Sequence, residues 1–225
     1  MARYTNTPLI ALGRQETNNM EREEEYSKIC DNLKELIEKT GEPLEGNCVY
    51  RHLSFDQWDV LLNKRLNYQR AVKGKEFICE IGFNAGHSVL AMILANPNAH
   101  YVLFDLGTHA YARPCFEHLK KIFPQTKMEI FWGDSRKTLA LYHREHPEMV
   151  FDLVHIDGGH RSEVYSVDWK NSLDTTSSAS LIIFDDTDSA KINAFIDKEI
   201  ERGIVSEATG FLKTSGYEHR ILERE

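Results

Sequence analysis

The chain has 225 residues, of which 41% are hydrophobic, so it is long enough and apolar enough to bury one complete α/β core. Asp and Glu outnumber Lys and Arg by 35 to 27, and the resulting net charge of −8 argues against a nucleic-acid-coating surface, which needs clustered positive charge. The N-terminal apolar patch is too short for a signal peptide, and no apolar run reaches the ~20 residues of a membrane span. The four cysteines form no CxxC pair, which favours reduced, buried thiols. We therefore expect a soluble cytoplasmic protein with neither a nucleic-acid nor a membrane partner.

The N-terminal third is predicted to be helical after a short arm. Residues 1–20 are polar and without a period, so we expect a loose arm there. Glu21–Lys39 has apolar residues at helical spacing, and Phe55–Val72 forms a second amphipathic pattern with Ser54 as its expected N-cap. We take residues 1–73 as an arm with two helices and not as a separate domain.

Residues 74–225 alternate short apolar runs with amphipathic stretches. The predicted strands are Glu76–Ile81, His100–Leu106, Met128–Trp132, Phe151–Ile156 and Ala179–Phe184. The predicted helices between and after them are at about 87–95, 110–123, 136–145, 161–173 and 189–202. Strands that are apolar on both faces and separated by helices indicate a parallel sheet covered on both sides.

The C-terminal tail is predicted to complete the sheet. Ile204–Phe211 and Tyr217–Leu222 flank a Lys-Thr-Ser-Gly turn and are typical of an antiparallel hairpin. The predicted fold is therefore α/β: a Rossmann-like, doubly wound, mostly parallel seven-stranded sheet with a C-terminal antiparallel hairpin and an N-terminal helical extension. In such sheets ligands bind beyond the carboxyl ends of the strands.

A glycine-containing loop follows the first strand, in the segment Glu80-Ile81-Gly82-Phe83-Asn84-Ala85-Gly86. Gly82 and Gly86 allow a sharp turn and close approach of the backbone to a ligand, and the next helix points its N–H groups into the same space. The G-x-x-x-G spacing differs from the G-x-G-x-x-G of dinucleotide-binding folds. Glycines at such turns also occur for packing alone, so both interpretations stay open.

The second and third strands end in acidic residues. Asp105 could accept both hydroxyls of a ribose, and Gly133-Asp134-Ser135 offers polar groups to an adenine edge. Each aspartate could instead be the N-cap of the following helix, which is a frequent use of Asp at such junctions.

Together these segments resemble motifs I, II and III of class I S-adenosylmethionine-dependent methyltransferases, over roughly residues 74–225. The resemblance implies S-adenosylmethionine as the cofactor, with the glycine loop at its methionine part, the acid after strand two at the ribose and the acid after strand three at the adenine. The implied cofactor-binding residues are Glu80, Gly82, Asn84, Gly86, Asp105, Asp134 and Ser135.

Three further acids follow the fourth and fifth strands: Asp157, Asp185 and Asp186. If the two strands are neighbours, these carboxylates converge, and they repel one another unless a cation lies between them. Oxygen ligands suit Mg²⁺, with Mn²⁺ or Ca²⁺ as alternatives. Asp185 could instead cap a helix, Asp186 could be solvated and Asp157-Gly158 could be a plain turn, so these interpretations stay open. His155, inside the fourth strand, is expected to be a hydrogen-bonded core residue.

This second set resembles the metal-dependent O-methyltransferases of the catechol and antibiotic-sugar types. The resemblance implies that Asp157, Asp185 and Asp186 hold a divalent cation, usually Mg²⁺, and that the acceptor is a small molecule with vicinal hydroxyls. His160 stands where the catechol type has a lysine as general base; imidazole suits that task because its pKa is near neutrality. Asp157 itself is the alternative proton acceptor.

Other functions remain open at this stage. A non-catalytic binding protein on the same scaffold and a metal-dependent hydrolase that uses the acids are the main alternatives, and a nicotinamide-dependent dehydrogenase is disfavoured by the glycine spacing. In comparable enzymes N-terminal additions form a substrate lid or a dimer contact, so a homodimer is one expected arrangement.

Overall fold

The computed structural model describes residues 9–51, 54–215 and 218–225, with side chains from Met20 onward. Its centre is a seven-stranded sheet of order β3-β2-β1-β4-β5-β7-β6, in which β1 to β5 are parallel and β7 is antiparallel to both of its neighbours. The strands are β1 (Phe77–Ile81), β2 (His100–Asp105), β3 (Lys127–Trp132), β4 (Phe151–Ile156), β5 (Thr176–Phe184), β6 (Val205–Glu207) and β7 (Arg220–Arg224). The predicted fold class is confirmed.

Helices cover both faces of this sheet. They are α1 (Leu9–Thr40), α2 (Leu62–Ala71), α3 (His87–Ala95), α4 (Ala112–Ile122), α5 (Ser135–Glu145), α6 (Ser162–Asp174) and α7 (Ala190–Glu201), with a 3-10 turn at Asp59–Leu61. None of the helices in the described part of the chain is long and apolar enough to cross a membrane.

The alternation of side chains along each strand divides the core into two layers. On β2, Tyr101 and Leu103 pack with α1, α2, α3 and α4, whereas Val102 and Phe104 pack with α5, α6 and α7. Because each face is covered, the strands are apolar on both faces, as the sequence pattern indicated.

The first helix is longer than predicted. It begins at Leu9, so residues 9–20 are helical and the prediction of a loose arm is wrong there; residues 1–8 lie outside the described residues. Further along α1, Tyr26, Leu33 and Ile37 are buried in the core. The polar composition of its first part hid the helix because these residues have no apolar stripe to reveal it.

The second helix is shorter than predicted. It begins at Leu62, its N-cap residue is Leu61 without a side-chain hydrogen bond, and the prediction of Ser54 as N-cap is wrong. The residues before it are held extended, because the N–H of Trp58 donates to the carbonyl of Val49 at 2.8 Å. The apolar spacing of this stretch therefore reflects loop packing and not a helix.

The two C-terminal strands pair antiparallel, but a long connection at residues 208–219 joins them, and not a tight turn. β7 begins at Arg220, later than predicted, and lies between β5 and β6. The side-chain amide of Asn67 on α2 holds the connection: its Nδ2 donates to the carbonyl of Leu212 and its Oδ1 accepts from the Leu212 N–H, both at 2.8 Å. Some of the hydrogen bonds that fix this loop thus come from the N-terminal part of the chain.

Candidate active site

The carboxyl ends of β1, β4 and β5 open into a small cavity below α2. The glycine loop between β1 and α3 lines one side of it, Asp157 and Asp185 line the other, and Lys64 and Tyr68 of α2 complete the wall. The structure thus brings the predicted donor loop and two of the predicted metal-binding acids to one edge of the sheet.

The two glycines of the loop are required by the packing of the chain on itself. Gly82 has φ +99°, and a Cβ added there would lie 2.0 Å from the carbonyl oxygen of Asp157. Gly86 has φ +82°, and its added Cβ would lie within 2.8 Å of Phe83 and Leu119. Both positions therefore need glycine for space as well as for backbone conformation.

Asp105 ties the glycine loop to the end of β2. One carboxylate oxygen accepts the N–H of Asn84 at 2.8 Å, and the other accepts the N–H of Gly107 at 2.7 Å. The next helix begins only at Ala112, so the interpretation of Asp105 as a helix N-cap is wrong. Asp105 is partly exposed, and its carboxylate ties these two loops together.

Asn84 joins the loop to the segment that precedes α2. Its backbone is left-handed, with φ +53°, a conformation that asparagine tolerates better than most residues. Its Nδ2 donates to the carbonyls of Glu45 and Gly46, the latter at 2.9 Å. The chain around Gly46 therefore lies across the glycine loop.

Asp134 caps α5. Its Oδ1 accepts the backbone N–H of Arg136 at 3.1 Å, and the carboxylate also pairs with the Arg136 guanidinium at 2.7 Å, which lowers the pKa of the Asp134 carboxyl. The N-cap interpretation is thus confirmed for Asp134. The neighbouring Ser135 donates to Oδ1 of Asp168, a fully buried residue, at 2.8 Å.

Glu80 and His155 form a buried pair on adjacent strands. Glu80 Oε1 accepts hydrogen bonds from Ser88 and from His155 Nδ1, the latter at 2.9 Å, whereas Oε2 has no hydrogen-bonding partner among the described residues. Burial alone would lower the pKa of His155, but the carboxylate of Asp185, 3.5 Å from Nε2, and the hydrogen bond to Glu80 outweigh it and raise the pKa to about 10. His155 is therefore a buried cation in the core, as a hydrogen-bonded core histidine was predicted to be there.

Asp185 is held by two side chains of α2. Lys64 Nζ lies 2.6 Å from Oδ1 and the Tyr68 hydroxyl donates to Oδ2 at 3.0 Å, while the N–H of Asp186 donates to Oδ1 at 2.9 Å. Burial would raise the pKa of Asp185, but Lys64 and His155 hold it well below its usual range. This carboxylate is buried, charged and surrounded by donors.

Asp186 points toward a different partner. Its Oδ2 lies 2.7 Å from His160 Nε2, and this hydrogen bond raises the pKa of the largely exposed imidazole. Asp157 lies between the two acids, and burial together with the charge of Asp185 raises its pKa well above the usual value. His160 and Asp186 line a second cavity, with Tyr165 at its wall.

The three acids predicted to share one metal are therefore divided between two groups. One consists of His155, Asp157 and Asp185, and the other of Asp157, His160 and Asp186; within each group the ligand atoms lie within 4.8 Å of one another. Asp157 is common to both.

Sequence reasoning missed Lys64 and Tyr68. Their i, i+4 spacing places them on one face of α2. The sequence of α2 is mostly polar and includes Arg65 and Arg70, so no pattern singles out Lys64 as the buried cation.

The sequence and the fold were compared with known proteins. Residues 79–187 match the family described as a methyltransferase domain. No protein of curated function matches the sequence.

Solved structures of the same fold include several methyltransferases. The O-methyltransferase from Bacillus cereus, solved in complex with SAH, is 16% identical, with a TM-score of 0.63 over 88% of this chain and 91% of that one. TomG from Streptomyces achromogenes, an O-methyltransferase solved with SAM, is 15% identical, with a TM-score of 0.63 over 87% and 88%. CalS11, a TDP-rhamnose 3'-O-methyltransferase, is 19% identical, with a TM-score of 0.55 over 73% and 78%. At these identities the likeness establishes the fold alone. The matched segment from Cys79 to Thr187 is just under half of the chain, and over this segment the chain is similar to the methyltransferase domain family.

Proposed function

We propose that this chain transfers a methyl group from S-adenosylmethionine to an oxygen atom of a small acceptor with neighbouring hydroxyl groups. The observation that carries the proposal is the position of the glycine loop, which shares its cavity with Asp157 and Asp185 at the ends of β4 and β5. A donor bound at the loop would hold its methyl group beside these acids. The likeness to O-methyltransferases solved with SAH or SAM supports the choice of donor, and the likeness to a TDP-rhamnose methyltransferase supports a sugar-like acceptor.

The buried polar atoms around the loop fit such a donor. Glu80 Oε2 and His87 Nε2 have no hydrogen-bonding partner within the described part of the chain, and His87 lines the cavity. Burial lowers the pKa of His87 to about 4, so its imidazole is neutral at physiological pH. Buried polar atoms without partners are uncommon, and ligand groups are one means of satisfying them. In this proposal Asp105 holds the ribose hydroxyls, and Asp134 with Ser135 lies at the adenine.

His160 is the proposed proton acceptor. In its neutral form it donates Nε2–H to Asp186 at 2.7 Å, which leaves Nδ1 free to accept the proton of the acceptor hydroxyl. The carboxylate of Asp186 then stabilises the imidazolium that forms. The acceptor oxygen forms its new bond to the methyl carbon while the carbon–sulfur bond breaks and sulfur becomes a neutral thioether. Asp157, whose pKa is raised, is the alternative acceptor of the same proton.

The divalent metal predicted at Asp157, Asp185 and Asp186 stays a prediction and meets an obstacle. The donor set is chemically suitable, since carboxylates suit Mg²⁺. However, Asp185 is already paired with the Lys64 ammonium, and Asp186 is paired with His160. A metal would have to displace both, so no step of the proposed transfer is routed through one. A cytoplasmic location and a homodimer likewise stay predictions.

Calorimetric titration with S-adenosylhomocysteine tests the proposal. We expect wild-type protein to bind it, and Asp105→Asn to weaken binding by about tenfold or more because a ribose hydrogen bond to a charged group is lost. His160→Asn is the matched control: it should leave this affinity unchanged and, with an accepted substrate, lower the transfer rate by about 10²–10⁴. Well-folded wild-type protein that does not bind S-adenosylhomocysteine would rule the proposal out.

A further inference from the structure

A lysine ammonium lies where sequence reasoning placed a metal ion. Lys64 extends from α2 to the end of β5, where its Nζ lies 2.6 Å from Asp185 Oδ1, and its side chain is only 6% exposed. A buried lysine is rarely found without a paired charge. The ammonium forms a buried ion pair with Asp185 and lines the same cavity as Asp157.

Basic side chains already lie against the acids of this buried group. Lys64 Nζ lies 2.6 Å from Asp185 Oδ1, and the His155 ring lies 2.9 Å from Glu80 Oε1 and 3.5 Å from Asp185 Oδ2. A divalent ion added here would have to be held next to the Lys64 ammonium in a poorly hydrated space, which is costly.

Most hydrogen-bond acceptor positions of Asp185 are also occupied. Its Oδ1 accepts from Lys64 and from the backbone N–H of Asp186, and its Oδ2 accepts from the Tyr68 hydroxyl. A metal ligand oxygen must present a free lone pair at about 2.1 Å from Mg²⁺, so Oδ1, which already has two donors, is a poor metal ligand here.

We infer that Lys64 is the built-in cation of this site and that it, in place of a divalent metal, neutralises Asp185 and fixes its position. Among the described residues, Asp185 is the one hydrogen-bonding partner of the ammonium, which lines the cavity. The N–H groups of the Lys64 ammonium that do not pair with Asp185 can donate to an oxygen of the acceptor. They would then hold that oxygen in the way that an open coordination position of a metal ion would. This last role rests on the proposed function, whereas the pairing of Lys64 with Asp185 does not.

Binding of Mn²⁺, followed by the loss of its free-ion electron paramagnetic resonance signal, tests the inference. When Lys64 is present, the single substitution Asp185→Asn should leave Mn²⁺ affinity unchanged, because Asp185 is not available to the ion. Lys64→Met should free Asp185 beside Asp157 and tighten Mn²⁺ binding by about tenfold or more, and the added substitution Asp185→Asn should remove that gain. Lys170→Met, which removes an exposed lysine on α6, should not change binding.

Tight Mn²⁺ binding by wild-type protein that Asp185→Asn abolishes would overturn the inference, and so would a Lys64→Met protein that gains no affinity. If Lys64→Met does not fold, Lys64→Gln keeps a hydrogen-bond donor to Asp185 while it removes the charge, and Mn²⁺ should then raise its melting temperature more than that of wild type. S-adenosylhomocysteine titration of the same samples separates the outcomes. Failure of the wild type to bind that ligand refutes the proposed function and leaves the Mn²⁺ result to decide on Lys64.

Discussion

Asp168 is an unusual residue of the α6 face because it is a fully buried carboxyl with an incomplete set of partners. Its Oδ1 accepts from Ser135, whereas its Oδ2 has no partner among the described residues. Burial raises its pKa to about 6, although the hydrogen bond from Ser135 opposes the shift. The folded state therefore binds a proton at Asp168 more tightly than the unfolded chain does.

We expect this carboxyl to reduce stability as the pH rises. With a folded pKa of about 6 and an unfolded value of about 3.9, the cost appears as the pH rises from about 4 to about 6 and is complete above that range. Asp168→Asn should therefore be more stable than wild type by about 1–3 kcal/mol near pH 7.5, and the difference should largely vanish near pH 4. Urea denaturation at several pH values measures this, with the exposed Asp188→Asn as control; a difference that does not change with pH would contradict it.

The acids at the strand ends show what sequence could and could not predict about single residues. The convergence of Asp157 and Asp185 followed from parallel neighbouring strands, and the structure places both at one cavity. A site shared by Asp185 and Asp186 did not follow, because β5 ends at Phe184 and the backbone of Asp186 is left-handed, with φ +56°, a turn that the strand pattern does not predict. Asp186 accordingly meets His160, and Asp185 meets Lys64, a residue that is distant in sequence and thus invisible to a strand-by-strand pattern.

At the scale of the element, the glycine loop owes its composition to two different constraints. Gly82 needs both a left-handed backbone and empty space, since an added Cβ would lie 2.0 Å from the Asp157 carbonyl oxygen. Gly74, at the turn before β1, has a similar φ of +71°, but an added Cβ would meet nothing within 4 Å. A side chain at Gly74 would therefore cause backbone strain alone, whereas a side chain at Gly82 would cause both backbone strain and steric overlap.

Alanine substitutions at these two glycines should have unequal effects. Gly74→Ala should cost about 1 kcal/mol, from backbone strain alone. Gly82→Ala should cost more than about 3 kcal/mol, because β1 and β4 must move apart to admit the methyl group. Thermal or urea denaturation measures both, and equal losses would mean that the loop adjusts freely around the added methyl group.

The boundaries of elements were predictable where a hydrophobic period defined them. β4 was predicted with its observed limits, and the observed α3 matches its predicted range. The start of α2 was not predicted correctly. Trp58 contributes an apolar side chain to the pattern, but the hydrogen bond from the Trp58 N–H to the carbonyl of Val49 holds this stretch extended. Tertiary hydrogen bonds of this kind leave no periodic signal in the sequence.

For the whole molecule, the N-terminal helices are part of the central core. Leu33 of α1 is fully buried in the same cluster as Leu153 of β4. We proposed residues 1–73 as an extension and not a separate domain, and this shared core implies that the sheet and α1 unfold together.

Truncation of a core side chain on α1 or on β4 should therefore destabilise the same cooperative unfolding transition. Leu33→Ala and Leu153→Ala should each cost about 2–5 kcal/mol and lower the midpoint of a single cooperative unfolding curve. Asn32→Ala, on the exposed face of α1, should change stability by no more than about 0.5 kcal/mol. Circular dichroism and intrinsic fluorescence recorded together would decide the matter, since an early partial transition in Leu33→Ala alone would show that α1 unfolds independently.

The two hydrogen bonds from Asn84 to the carbonyls of Glu45 and Gly46 bear on how a ligand exchanges. They hold the segment around Gly46 over the loop at which the donor is proposed to bind. A ligand that enters or leaves on this side requires that segment to move away. Loop segments open within about nanoseconds to microseconds, far faster than typical enzyme turnover. The two hydrogen bonds would therefore direct where the donor enters and leaves without limiting the rate at which spent donor is exchanged for fresh.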